Sequence, residues 1–221
     1  MNIALGDEML TKESDILYCF AKKPWKKYTF TELKTAAGKT SRSYVERTVK
    51  KFISAKIINK ETIGRLPVYS PNLASAKARI FAGFVLEYYG WNRKRIPYND
   101  LQKVADKIPY RDYVFLITGS YVRGNQTGKS DIDAVVLIED SCKPKAVYAE
   151  LSQACELNIP RIHLYVFTHS EFKEMLLNKE ANYGKEIAKN CLILTEGQIY
   201  IKLLQEAVEN GFDDKRLAQT V

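Results

Sequence analysis

The residues best suited to chemistry lie in one stretch, GSYVRGNQTGKSDID, at residues 119–133. It combines glycines, hydroxyls and basic side chains, which can hold phosphate, with two carboxylates, which can hold a divalent cation. Its GKS is typical of the end of a phosphate-binding Walker loop, whereas its SDID is typical of a metal-binding aspartate pair. The two interpretations predict different enzymes.

A Walker loop has the form G-x-x-x-x-G-K-[ST], with four residues between its glycines and a helix that begins at the lysine. Only three residues separate Gly124 from Gly128. The sequence that follows, DIDAVVLIED, is β-branched and apolar, and it predicts a strand. Spacing and strand together argue against an ordinary ATPase or GTPase.

The aspartate pair accounts for more of the stretch. Asp131 and Asp133 are two residues apart on the predicted strand, so both side chains should share one face and can hold one or two divalent ions. Gly119 and Ser120 end an earlier apolar strand, YVFLIT. Glycine lets a backbone approach phosphate closely, and a serine hydroxyl can donate to it. The pattern predicts phosphate and metal chemistry on adjacent strands.

These residues resemble a known family. Gly119, Ser120, Gly124 and the run 130–133 follow the G-S-x-x-x-G-x5-S-D-x-D signature of minimal nucleotidyltransferases, in the polymerase β superfamily. A chance match is on the order of 10⁻⁷ per starting point at average composition. The resemblance covers roughly residues 96–178. It implies transfer of a nucleoside monophosphate from an NTP, with ATP as one candidate, to an acceptor hydroxyl, and release of pyrophosphate.

The resemblance also implies roles for the matching residues. Gly119 and Ser120 would grip the β- and γ-phosphates, and the catalytic carboxylates Asp131 and Asp133 would coordinate Mg²⁺ or Mn²⁺.

Three further polar residues of the loop are assigned to nucleotide binding. Ser130 belongs to the signature, and Arg123 and Lys129 are candidate triphosphate contacts. Lone basic loop residues can equally be solvated, so this alternative stays open for Arg123 and Lys129.

One position departs from the family pattern. The family expects a third carboxylate near the start of the next strand, where it helps to hold the catalytic ion and to draw the proton from the acceptor. In the predicted strand RIHLYVFT this position falls on His163. A neutral imidazole can accept a proton or ligate a metal, but it supplies no negative charge. His163 is therefore a candidate catalytic residue, with a hydrogen-bonded side chain inside the sheet as the alternative.

The elements around the signature predict an α/β or α+β fold, with residues 96–221 as a nucleotidyltransferase-like mixed sheet flanked by helices. Strands are predicted at 113–118, 132–139 and 161–168. Helices are predicted at 98–107, capped by Asn99, at 144–157, and after Thr168, which has capping-box spacing with Glu171.

Residues 1–72 predict a second domain that resembles a winged helix-turn-helix. Helical spacing at 9–21, in FTELKTAAG with Thr29 or Thr31 as its cap, and in SRSYVERTVKKFIS precedes a hairpin that turns at Gly64. Ser43 and Glu46 have capping-box spacing for the third helix. Residues 73–95 are expected to be a connecting helix and a basic linker.

In the winged-helix family the third helix enters the DNA major groove and the hairpin contacts the backbone. The resemblance assigns DNA or RNA binding to five residues: Arg42, Ser43, Arg47, Lys50 and Arg65. It also suggests a homodimer. The alternative is a small helical domain that packs on a partner protein or makes a dimer.

Charge supports a polyanion partner for the first half of the chain. Residues 1–110 carry 21 Lys and Arg against 10 Asp and Glu, whereas residues 111–221 carry 13 against 16. The net charge of +8 therefore belongs almost wholly to the first half. This asymmetry is typical of a basic module that meets nucleic acid, although a solvated lysine-rich surface would look the same.

The four cysteines are scattered without a C-x-x-C pair, so they predict reduced thiols and not a zinc site. MNIALGDEML lacks the basic and apolar regions of a signal peptide, and no run reaches the ~18 apolar residues of a membrane span. We therefore expect a cytoplasmic protein.

Three functions are compatible with the sequence. The first is a Mg²⁺-dependent nucleotidyltransferase whose winged helix docks it on nucleic acid or regulates it. The second is a DNA-binding regulator whose transferase domain has lost catalysis and senses nucleotide or dimerises. The third is a structural module that binds protein through both domains and uses none of the site residues.

Overall fold

The computed structural model describes residues 11–218, a mixed α+β structure with two sheets. Its first part contains, in order, α1 (Ser14–Lys22), β1 (Tyr28–Thr29), α2 (Phe30–Ala36), α3 (Arg42–Ser54), β2 (Ile58–Ile63) and β3 (Leu66–Pro71). The strands form an antiparallel sheet in the order β1-β3-β2. Gly64, with φ 62°, lies in the tight turn between β2 and β3, where the sequence predicts it. Residues 9 and 10 of the predicted first helix lie outside the described part.

A capping box fixes the start of α2. The Thr29 hydroxyl accepts the N–H of Glu32 at 3.3 Å, and the Glu32 carboxylate accepts the N–H of Thr29 at 2.8 Å. Of the two caps that the sequence allows, the structure uses Thr29.

The cap of α3 differs from the prediction. The Ser41 hydroxyl accepts the N–H of Tyr44 at 3.3 Å, so the cap lies two residues before the predicted one and the helix begins at Arg42. The predicted capping box of Ser43 with Glu46 is wrong, because Ser43 already lies inside the helix. Glu46 instead pairs with Arg42 one turn away, at 2.8 Å.

Two helices connect the two sheets, α4 (Ala76–Trp91) and α5 (Tyr98–Ala105). The predicted cap of α5 at Asn99 is also wrong: Pro97 precedes the helix, and no side chain caps it. Proline at this position is compatible with a helix start because its φ is already close to helical values.

The remaining elements build the second sheet and its helices: β4 (Tyr113–Thr118), α6 (Gly119–Arg123), β5 (Ile132–Ile138), α7 (Pro144–Glu156), β6 (Ile162–Thr168), α8 (His169–Leu177), α9 (Tyr183–Lys189), β7 (Leu192–Thr195), α10 (Gly197–Glu209) and α11 (Asp214–Ala218). The sheet order is β6-β5-β4-β7, with β5 and β6 parallel and β4 antiparallel to both its neighbours. The mixed sheet is confirmed, and so is the Thr168–Glu171 capping box of α8. The edge strand β7 was not predicted.

The second sheet is buried on both faces. Val135 and Leu137 of β5 pack into a core cluster that continues through α1, α4 and α10. Ala134 and Val136 pack into a second cluster with α5 and α7. Because side chains alternate along a strand, Asp133 belongs to the same face as Val135 and Leu137. Within residues 11–218, no helix is long and apolar enough to cross a membrane.

Candidate active site

The site is built where β4 ends and β5 begins. Thr118, the last residue of β4, pairs with Asp133 of β5, so the bend after β4 lies directly beside this aspartate. Gly119 turns there with φ 75°, and a Cβ atom added to it would collide with the Asp133 carboxylate. Both the conformation and the lack of space require glycine at this position.

Asp133 is half-buried, with 30% of its side chain exposed. Burial raises the pKa of its carboxyl, the charges of His163 and Arg123 act in the opposite direction, and Asp131 raises it again. Asp131 is exposed and lies one residue before β5, so the prediction that both aspartates lie on the strand is wrong by one residue.

His163 lies where the sequence places the departure from the family. In the parallel pairing of β5 with β6 it is the direct partner of Asp133, and its Nδ1 is 3.8 Å from the Asp133 Oδ1. The imidazole remains accessible, with 56% of its side chain exposed. The same Nδ1 lies 3.2 Å from the Tyr165 hydroxyl, so the ring is held between a carboxylate and a phenol.

An aromatic strip continues from His163 and was not found by sequence reasoning. Tyr165 lies 4.7 Å from the His163 ring and 4.5 Å from the ring of Tyr183, and Phe167 follows on the same strand face. Burial raises the pKa of the Tyr165 and Tyr183 hydroxyls, so both stay protonated at neutral pH. The alternate spacing of 163, 165 and 167 was a usable signal, whereas Tyr183 arrives from α9 through tertiary packing.

The loop between α6 and β5 holds the other predicted nucleotide contacts. Arg123 and Lys129 are both exposed, and the charge of Arg123 reaches Asp133. The Ser130 hydroxyl accepts the N–H of Thr127 at 2.9 Å, so it shapes the loop. Within residues 11–218, the Ser120 hydroxyl makes no hydrogen bond and is free to donate to a ligand.

The aspartate pair implies a divalent metal ion, which would need further oxygen ligands besides the two carboxylates. Within residues 11–218, no three His, Cys, Asp or Glu side chains form a group that could hold an ion by themselves. Asp131 and Asp133 offer hard oxygen donors, and the Asp133 carboxylate lies directly against the Gly119 bend. This set fits a Mg²⁺ ion that takes its remaining ligands from substrate oxygens and water, as magnesium in nucleotide sites usually does.

The residues predicted to bind nucleic acid lie on α3 and at the tip of the β2-β3 hairpin. Ser43, Arg47 and Lys50 are exposed on α3, and Arg65 is exposed at the tip of the hairpin. Arg42 is partly engaged, because it pairs with Glu46 and lies 5.6 Å from the ring of Phe30.

A groove of about 470 Å³ runs between α3 and the β2-β3 hairpin. Arg42, Lys50 and Lys60 lie along it. The structure therefore gathers positive charge along the groove.

Comparison with known proteins supports the second sheet as the functional part. No curated protein and no solved structure matches the chain. A family model described as "Nucleotidyltransferase domain" matches residues 101–195, which run from within α5 to the end of β7 and include every candidate catalytic residue. Residues 101–195 of the chain are therefore similar to nucleotidyltransferase domains.

Proposed function

We propose that the protein is a Mg²⁺-dependent enzyme that transfers a nucleoside monophosphate from an NTP to an acceptor hydroxyl. One observation carries this proposal: the Asp133 carboxylate fills the space beside the Gly119 bend, with Asp131 and His163 around it at the same end of the sheet. Two carboxylates beside a glycine-serine bend provide the oxygen ligands with which proteins hold a metal–triphosphate complex.

Each residue of the site has a physical task in this proposal. Asp131 and Asp133 would hold Mg²⁺ or Mn²⁺, which when bound neutralises charge on the triphosphate oxygens. The Gly119 bend and the Ser120 hydroxyl would hold the β- and γ-phosphates. In the transfer, the acceptor oxygen bonds to the α-phosphorus as pyrophosphate leaves. His163 is exposed beside Asp133 and would accept the proton that the acceptor hydroxyl loses.

The test is a transfer assay with Mg²⁺ and labelled NTPs. Label should move to a nucleic-acid, protein or small-molecule acceptor, and Asp131→Asn combined with Asp133→Asn should abolish it. Asp112→Asn is the matched control, because Asp112 is an exposed aspartate before the opposite end of β4 and should leave transfer unchanged. Transfer that survives the double change would remove the proposed site.

We further propose that residues 11–72 form a winged helix that binds DNA. The order α1-β1-α2-α3-β2-β3 with an antiparallel sheet supports this proposal, since the winged-helix resemblance implies a third helix followed by a hairpin. The exposed Arg47, Lys50 and Arg65 make no ion pair with any described residue, so their charge is available to phosphates.

DNA binding is tested by its salt dependence. Arg42→Ala, Arg47→Ala and Lys50→Ala together should weaken binding and flatten the slope of log K against log salt by about one for each lost phosphate contact. The control removes the same charge elsewhere, through Lys143→Ala, Lys145→Ala and Lys202→Ala, which are all exposed. An unchanged slope in the first variant would count against the α3 face.

His163 favours a second candidate function, a DNA-binding regulator whose transferase domain senses nucleotide or dimerises. An imidazole stands directly opposite Asp133, where the family pattern has a negative charge. His163→Asp distinguishes the two functions. If this variant gains metal affinity and transfer activity, the native site is catalytically inactive, which supports the regulator. If it loses transfer activity, His163 takes part in catalysis, which supports the enzyme.

A further inference from the structure

A cavity of about 380 Å³ lies outside the aspartate site, where α1, the end of α4 and the start of β7 meet. Its lining residues are Tyr18, Tyr89, Asn92, Arg93, Lys94 and Leu192. Its volume falls within the range of small-molecule sites. None of these residues belongs to the nucleotidyltransferase signature.

Two of the lining side chains are unpaired cations. Within the described chain, the side chains of Arg93 and Lys94 make neither an ion pair nor a hydrogen bond, and both are exposed. Lys22 stands nearby, 6.0 Å from the ring of Tyr18. Burial lowers the pKa of Lys22, and the positive charges of Lys23 and Arg93 act in the same direction. An anion bound here would relieve this repulsion.

The aromatic wall of the cavity is fixed before any ligand binds. Tyr18 and Tyr89 stack with their ring centroids 4.2 Å apart and an interplanar angle of 25°. The Tyr89 hydroxyl is held by the Asp15 carboxylate and lies 3.2 Å from the Ser14 hydroxyl. A rigid aromatic surface beside unpaired cations is the combination with which proteins bind a base and its phosphate together.

The cavity opens at the same end of the sheet as the aspartates. Leu192 begins β7 as the partner of Ile117, and the Thr118 hydroxyl donates to the Asn190 carbonyl at 2.8 Å. The chain that enters β7 therefore lies against the last residue before Gly119. Strands in a sheet lie about 4.8 Å apart, so β7 is about 10 Å from β5 and Asp133, roughly the reach of a nucleotide unit.

We propose that this cavity binds a nucleotide unit of a nucleic-acid acceptor, with its phosphate on Arg93 and Lys94 and its base against the Tyr18–Tyr89 pair. The proposal rests on the proposed function, because it gives the cavity the role of presenting an acceptor to the aspartate site. It names the class of acceptor, which the signature residues leave open.

The test is equilibrium binding of adenosine 5′-monophosphate to the full chain, measured by calorimetry without divalent cation or NTP. Adenosine and inorganic phosphate are titrated separately, and each should bind at least tenfold more weakly than the monophosphate. A 5′-phosphorylated dinucleotide should bind at least as tightly as the monophosphate, because the cavity must admit a strand. A much weaker dinucleotide would overturn the nucleic-acid assignment in favour of a free nucleotide.

Variants connect this binding to the cavity. Arg93→Ala with Lys94→Ala should weaken binding of the monophosphate at least tenfold. Tyr18→Leu should weaken its binding by a similar factor, because the base loses its stacking partner. Lys179→Ala with Lys202→Ala removes the same charge from exposed positions elsewhere and should change binding less than twofold. Binding that survives loss of Arg93 and Lys94 would place the ligand elsewhere and overturn the proposal.

Two further measurements separate this proposal from the proposed function. Asp131→Asn with Asp133→Asn should leave monophosphate binding unchanged. A saturating Mg²⁺ complex of an α,β-methylene NTP should not displace the monophosphate, whereas displacement would show a shared site and overturn a separate acceptor cavity. If the protein binds the monophosphate through Arg93 but transfers no nucleotide, the proposed transferase activity is contradicted. The proposed binding cavity is then still supported.

Discussion

At the scale of single residues, the site depends on two closely packed residues, Gly119 and Asp133. Gly119 has no room for a side chain, and Asp133 is partly desolvated between the bend and His163. Functional sites often hold such strained or desolvated groups at some expense of stability. We therefore expect substitution of either residue to change the stability of the protein as well as its activity.

Gly119→Ala should destabilise the fold and reduce transfer at least a hundredfold, because its Cβ would displace the Asp133 carboxylate. Gly38→Ala is a matched control, since Gly38 lies outside the signature, has a similar φ of 61° and has open space around it. The control should show only backbone strain, about 1–3 kcal/mol, and keep most of its activity. Equal loss of activity in both variants, measured by transfer kinetics, would contradict the clash.

Asp133→Asn should stabilise the protein at neutral pH, by about 0.5–2 kcal/mol. Burial raises the folded pKa of Asp133 above its ordinary value of 3.8, so the unfavourable burial of its charge is absent below pH 3.8, grows as pH rises toward the folded pKa, and is complete above it. The gain, measured by thermal unfolding, should therefore shrink as pH falls from 7.5 to 4. A gain that grows toward low pH would contradict this cause.

Asp140→Asn is the control of opposite sign for that measurement. Hydrogen bonds from the Ser170 hydroxyl and N–H lower the pKa of Asp140, so its stabilising contribution is present above pH 3.8 and is lost as pH falls. The asparagine variant should be less stable than the native chain at pH 7.5 and should approach it in acid.

At the scale of elements, the helices position the site through caps and close packing. α8 starts with the Thr168–Glu171 capping box directly after β6, and α9 brings Tyr183 against Tyr165. α9 also buries Lys185 completely, and the Lys185 Nζ has no hydrogen-bond partner within residues 11–218. An unpaired buried ammonium destabilises a fold, and burial accordingly lowers the pKa of Lys185.

Lys185→Met should stabilise the protein, because it keeps the volume of the side chain and removes the desolvated ammonium. We expect a gain of about 1 kcal/mol and a rise in melting temperature of about 2–4 °C. Lys189→Met is the control: this lysine is half-exposed and lies 3.8 Å from Glu186, so its loss should change stability by less than about 0.5 kcal/mol. A destabilised Lys185→Met protein would show that the ammonium has a native partner.

At the scale of the whole molecule, the two predicted domains share one hydrophobic core. The cluster that includes Val135 and Leu137 is continuous with the buried residues of α1, α3 and α10. Trp25 also reaches the end of the chain, where its Nε1 donates to Asp214 at 2.9 Å and its ring meets Phe212 edge-on. α4 lies between the parts and touches α10 through Gly83 and Gly197, which leave no space for a Cβ atom.

Gly83→Ala should lower the stability of the whole molecule by about 1–3 kcal/mol, because its Cβ would overlap the backbone of Gln198 in α10. Since the core is continuous, scanning calorimetry should show one transition that shifts as a unit. Gly128→Ala, in open space, should leave the transition in place. Two separate transitions, of which only one shifts, would indicate independently folding domains.

Much of the fold was readable from the sequence because local rules determine it. The β-branched runs between turns predict β4 with its observed bounds, and they predict the bounds of β5 and β6 to within one residue. The strand that follows Lys129 also argues against a Walker loop, which would need a helix there. The prediction was wrong where two nearby serines could each cap the same helix. Ser41 and not Ser43 caps α3. The strand β7 was missed because four residues of apolar sequence carry no periodicity that identifies them.

The chemical groups of the site are already evident in the amino-acid sequence: a glycine-serine bend, two carboxylates two residues apart, and a histidine where the family pattern has a carboxylate. These follow from residue types and spacing, which are local. Three contacts of the site become visible in the folded chain alone. His163 pairs directly with Asp133, Tyr165 and Tyr183 continue the site, and Arg93 and Lys94 line one cavity with Tyr18. Strand register and helix packing bring together residues far apart in the chain, and no local pattern encodes such contacts.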